Sequence, residues 1–130
     1  MHISILLYLV LSLSAKASSD SKDFQQITKL MVENGCDEKN VQSERVRLSA
    51  KSDAALDMMV MCASDCGAQQ CNYSIYLEEK GQYNYRGNFF GRYEIQKSKH
   101  ASYFDLKIET NNPTGAVVSE TLKLKGKTYQ

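Results

Sequence analysis

The four cysteines constrain this chain more than any other feature of it. Three lie in "MCASDCGAQQC", Met61 to Cys71, and the fourth is Cys36. Such spacing can hold a metal, run redox chemistry or cross-link the chain, and the compartment decides among the three. Ile3 to Leu13 ("ISILLYLVLSL") is an apolar run. It has the length of a signal-peptide core and falls short of the ~20 residues a membrane-spanning helix needs. Small residues at Ala15 and Ala17 suit signal peptidase, which predicts a leader over 1–17 and a periplasmic or secreted product over 18–130. Outside the cytosol, an even cysteine set in a small domain reads as a disulfide framework. The spacing Cys62-x3-Cys66-x4-Cys71 is not the Cys-x-x-Cys of redox sites. Three thiolates with His100 are the formal zinc alternative.

Hydrophobic periodicity predicts the fold. In residues 20–34 ("DSKDFQQITKLMVEN"), Phe24, Ile27, Leu30 and Met31 recur at helical spacing, with Asp20 or Ser21 as cap and Gly35 as stop. The period then falls to two. Val46 and Leu48 alternate with arginines, Leu56, Met58, Val60 and Cys62 share one parity, and Tyr73, Ile75 and Leu77 follow. "EKGQ" and "NNPTG" mark tight turns. Tyr83, Tyr85, Tyr93 and Ile95, then Phe104, Leu106 and Ile108, continue the alternation toward a buried face. Val118, Leu122 and Leu124 close the series against Lys123, Lys125 and Lys127, which read as protection of an edge strand. The expectation is a single α+β domain over 18–130: an N-terminal helix packed on a mainly antiparallel meander of about seven strands.

This layout also favours one disulfide pairing. Loop-closure entropy barely discriminates, since the three possible pairings total within about 1 kcal/mol of one another. Cys62 shares parity with the core residues of its strand and Cys36 ends the helix, so Cys36–Cys62 would tie helix to sheet. Cys66–Cys71 would then close "CGAQQC" between two strands.

Charge and residue inventory narrow the function. The chain has 16 basic and 15 acidic residues, and Lys16 belongs to the leader. A balanced chain lacks the basic excess that binds nucleic acid, and no second apolar run could cross a bilayer. No cofactor motif is present. After cleavage His100 is the only histidine, and "QKSKHASY" reads as a polar turn; no serine sits in a nucleophile elbow. Glu78 and Glu79 are adjacent on a strand and point apart. Asp105 and Lys107 read as an outward surface pair. The expectation is a protein without catalytic groups.

The order Cys66-Gly67-x3-Cys71, then "YSIYLEEKGQYNYRGNFFG", then "YFDL" resembles a pattern in poorly characterised exported bacterial domains. There a Cys-Gly-x-x-x-Cys loop precedes a Tyr/Gly-rich hairpin and an aromatic-Asp-Leu strand. The resemblance spans about Leu56 to Thr110 and implies an exported β-rich module. Where those domains carry an acidic, glycine-rich loop, this chain has "SAKSDAALD", with only Asp53 and Asp57 acidic and no glycine. That departs from a calcium loop.

Two surfaces stand out for a protein partner. "YNYRGNFFGRY" supplies Arg86, Asn88, Phe89, Phe90 and Arg92, residue types that dominate interface hot spots. Consecutive Phe89 and Phe90 cannot both be buried in one strand. The stapled loop offers Asp65, Gln69 and Gln70 on a pre-organised projection. The reading is an exported protein-binding module, an inhibitor or immunity protein against a secreted hydrolase or toxin such as a peptidoglycan-degrading enzyme. The alternative is a ligand- or metal-binding envelope module using Asp53, Asp57 and the cysteine loop.

Overall fold

Helical periodicity produces helix α1, seen over residues 22–33 in a computed structural model that describes residues 22–67 and 70–130. The expected leader lies outside the described residues. The helix ends as its glycine demands: Gly35, at φ +102°, lets the Cys36 N–H reach Met31 C=O (3.0 Å) and the Gly35 N–H reach Val32 C=O (3.0 Å). This double bond satisfies carbonyls that a helix end otherwise leaves unpaired. The chain divides into two units, Met1–Glu38 and Lys39–Gln130; α1 belongs to the first, the sheets to the second. No described helix is long and apolar enough to cross a membrane.

In the second unit the period-two segments become eight strands, one more than expected. They are β1 (Val41–Val46), β2 (Asp57–Cys62), β3 (Cys71–Glu79), β4 (Gln82–His100), β5 (Tyr103–Asn111), β6 (Val117–Leu122), β7 (Leu124–Lys125) and β8 (Thr128–Tyr129). β1 to β6 form one sheet in sequence order with antiparallel neighbours, and β7–β8 is a separate hairpin. The single alternating strand expected at the C-terminus is thus two elements. Lys125 lies on β7 and Lys127 in its turn, so the expected lysine protection does not fall on β6 at all.

The sheet is strongly curled. Tyr93 of β4 hydrogen-bonds through its hydroxyl to Glu44 of β1, three strands away in the sheet order. The segment after β1 closes the curl: Phe104 N–H donates to Leu48 C=O (2.7 Å) and Ala50 N–H to Ser102 C=O (2.8 Å). Leu48, Met59, Ile75, Leu77 and Leu106 are essentially inaccessible inside the curl, and Leu124 and Tyr129 of the terminal hairpin join them. Each such side chain contributes roughly 1.5–3 kcal/mol by leaving water. β2 is buried on both faces, since Met58, Val60 and Cys62 are covered as well as Met59.

β4 is the long element, and two irregularities reset its alternation. Ser74 opposes Asn88 while Tyr76 opposes Tyr85, so Arg86 and Gly87 stand against Ile75 alone. This bulge inverts the phase. Phe89 and Tyr93 face the core, whereas Tyr85, expected inside with Tyr93, is 51% exposed. Further along, Ile95 opposes Leu106 and Lys99 opposes Phe104, leaving Gln96, Lys97 and Ser98 against Asp105. Between the two bulges, Gly91 marks where β4 passes from pairing with β3 to pairing with β5. A Cβ there would sit 2.5 Å from the Glu109 carbonyl oxygen, at a φ of +142°. Only glycine permits that approach.

Candidate partner-binding face

The outer side of β4 presents Asn88, Phe90 and Arg92. Phe90 opposes Asn72 across the β3 ladder and is half exposed. Its neighbour Phe89 is buried, stacked on Tyr73 (centroids 5.2 Å) and edge-on to Tyr93 (5.9 Å). The question of which phenylalanine is outside thus has a definite answer, and Phe89 is not a surface contact. Arg92 donates to the Asn111 side-chain oxygen (3.0 Å) and lies 3.8 Å from Glu109, which also holds Lys107 at 3.2 Å. The guanidinium is oriented but not fully neutralised. Arg86 departs from expectation: it is paired with Glu79, whose carboxylate Asn84 also contacts (3.3 Å).

The stapled loop adjoins this face. Cys66 and Cys71 are bonded as expected, Cys36 and Cys62 are also disulfide-bonded, and no described thiol is free. Inside the staple, Gly67 and Gln70 exchange backbone hydrogen bonds (2.8 and 2.9 Å). Gln69 lies outside the described residues. Gln70 is buried, its Oε1 accepting the Asn111 N–H (3.0 Å), so it anchors the loop and does not present itself to a partner. Asp65 is exposed on the 3-10 turn Ala63–Asp65. Asn111 is therefore the joint: its amide holds the loop through Gln70, and its side chain orients Arg92. Two surfaces that the sequence treats separately are linked through a residue it gives no reason to notice.

A second polar cluster also escaped the sequence reading. Asp105, expected outward beside Lys107, is 1% exposed; Lys107 pairs with Glu109 instead. Ser98 Oγ donates to Asp105 Oδ2 (2.7 Å), and His100 Nδ1 lies 3.2 Å from Oδ1. Ser98 bonds the carboxylate and not the imidazole, so this trio is not a nucleophile activated by a base. It braces the turn Ala101–Ser102, whose residues sit at φ +52° and +66°.

Asp57 and the cysteines, on which the metal-binding alternative calls, are already engaged. Asp57 is buried, with its oxygens accepting the amides of Leu48 (3.1 Å), Ser49 (3.2 Å) and Glu78 (2.9 Å). The cysteines are disulfides. Among the described residues no three His, Cys, Asp or Glu side chains gather as ligands. Comparisons with family models, curated proteins and solved structures return no match.

Proposed function

We propose that this protein is an exported, non-catalytic binding module of the kind its cysteine-loop pattern resembles, and that it inhibits a secreted or periplasmic hydrolase such as a peptidoglycan-degrading enzyme. The observation that carries the proposal is Phe90: a half-exposed aromatic on a continuous strand, beside an oriented arginine and a stapled loop. Large side chains fixed before contact lose little entropy on binding, which is what a hot spot requires. Disulfides and a covered core suit survival outside the cell.

The test is titration of the oxidised protein into a panel of peptidoglycan hydrolases during cell-wall digestion. At least one enzyme is inhibited, and Phe90→Ala weakens that inhibition about tenfold or more, the scale of a hot-spot truncation, with an unchanged melting temperature. A panel left fully active, or inhibition indifferent to Phe90, rejects the reading.

A further inference from the structure

We infer that the outer edge of β6 is a pairing edge for a second copy of this chain. Hydrogen bonds settle which way each β6 peptide points. Across the β5–β6 turn the Asn112 N–H donates to Ala116 C=O (2.9 Å), whereas the Asn111 N–H turns to the other side, to Gln70 (3.0 Å). By alternation, the peptide groups of Val118, Glu120 and Leu122 face β5, and those of Val117, Ser119 and Thr121 face away. Lys123 continues the outward series, and Gln130 takes both its N–H and its C=O (2.9 and 3.0 Å). β6 ends the sheet order and residues 117–121 are all exposed; among the described residues no strand pairs with this edge.

Edges left open in this way are templates for pairing, and proteins ordinarily blunt them with lysine, proline or a bulge. "VVSETL" contains no lysine and no proline, and its register with β5 is unbroken. Val117 and Val118 add exposed β-branched side chains on opposite faces, at 57% and 51%.

The sequence of this edge fits itself in one register. Only a two-fold centred on a residue sets outward groups against outward groups. Centred on Ser119, it pairs Val117 with Thr121 and Val118 with Glu120, using every outward group of both copies. Centred on Glu120, it opposes two like charges, which destabilises a strand pair, and sets Val117 against Lys123, whose groups Gln130 already holds. Centred on Val118, it leaves Thr121 facing the turn residue Gly115. The Ser119 register therefore specifies an antiparallel dimer with a continuous sheet across it. With about six backbone hydrogen bonds and little apolar area it is a weak, concentration-dependent interface. The two Glu120 side chains fall on a diagonal roughly 7–8 Å apart, so salt tightens it.

Sedimentation equilibrium of the oxidised protein from micromolar to millimolar concentration tests this. The wild type shows a reversible monomer–dimer equilibrium that strengthens with salt. Ser119→Pro deletes an outward N–H and no β5 bond, so it keeps its fold while its dimer dissociation constant rises at least tenfold. Independently of any variant, the Ser119 and Thr121 amides of the wild type gain hydrogen-exchange protection with concentration, and the Val118 amide does not. A wild type that stays monomeric throughout overturns the inference. So does a dimer whose Ser119 and Thr121 amides stay unprotected, or one unaffected by proline at 119. Phe90 takes no part in this edge, so its variants leave the equilibrium unchanged whatever becomes of the inhibitor reading.

Discussion

Asp57 and Asp105 are equally inaccessible, each 1% exposed, and each is fully hydrogen-bonded, yet they are held in different ways. Asp57 accepts three backbone amides, from Leu48, Ser49 and Glu78, joining the end of β1 to β3. Asp105 accepts two side chains, Ser98 and His100, both close to solvent at one end of β4. Backbone amides fixed in a sheet cannot seek other partners, whereas a serine hydroxyl or an imidazole can rotate toward water. Equal burial therefore conceals unequal dependence: the fold relies on the first carboxylate, and the second braces a turn.

The largest effect is expected at Asp57. Asp57→Ala strands three amides, and at about 1–3 kcal/mol for each unsatisfied buried donor, less what entering water restores, the loss is roughly 3–5 kcal/mol in urea unfolding. The pH dependence has a definite sign. Burial raises the Asp57 carboxyl above the ordinary carboxylate range; the amides of Glu78, Leu48 and Ser49 pull it back, and the Glu78 charge adds to the rise. The folded chain then keeps this proton to higher pH than the unfolded chain does. The stability from this group is complete below the unfolded value and is lost as pH climbs through the folded one. The gap between wild type and Asp57→Ala accordingly narrows as pH rises through that window and is level above it. A gap that widened instead would mean the amides outweigh burial.

Asp105 sharpens the contrast. Asp105→Ala costs about 1–2 kcal/mol, because Ser98 and His100 turn to solvent and only a small cavity remains. Asp105→Leu, of similar volume, costs under about 1 kcal/mol, while Asp57→Leu remains as damaging as alanine. Equal losses at the two sites in parallel denaturant titrations would erase the distinction.

The turns at the two ends of β4 come next in size. Lys80–Gly81 and Ala101–Ser102 are both two-residue turns with positive φ throughout, at +54° and +80° and at +52° and +66°. The first contains the glycine such a turn favours. The second uses residues that enter this region at roughly 1 kcal/mol each, and is held by Asp105 and by the bond from Ala50. Replacing Ala101 with Asn and Ser102 with Gly should stabilise the protein by about 1 kcal/mol, seen as a higher melting temperature. If the brace opposes the strain, the same change yields a larger gain in the Asp105→Ala background.

These differences also mark what the sequence could convey. Gly35, "EKGQ" and "NNPTG" act locally, so the helix stop and two turns were legible, as were the meander and the Cys66–Cys71 staple. The polar run "QKSKHASY" signals a turn, but the two positive-φ positions at Ala101–Ser102 carry no glycine to announce them, because distant residues impose them. Alternation puts Tyr85 on the wrong face and leaves Asp105 exposed for a related reason. Alternation assumes an unbroken register, and each adjoins a bulge made by the pairing of two strands, which neither strand announces alone. Of the candidate site, Phe90 and Arg92 were legible as residue types. Their union with the stapled loop was not, since Asn111 joins them across three strands.

His100 tests the smallest difference. Its side chain is 46% exposed, and its 3.2 Å contact with Asp105 is open to solvent on one side. Pairs exposed to this degree are screened by water and commonly add a few tenths of a kcal/mol. The His100→Ala variant should therefore lose under about 0.5 kcal/mol, less than half the Asp105→Ala loss. Ser98→Ala removes a shorter bond to the same carboxylate (2.7 Å) and should cost more than His100→Ala. The ordering is the informative part. A His100 loss above that of Ser98 would make the imidazole the main partner of Asp105, and would move this cluster from turn brace toward a site that uses its histidine.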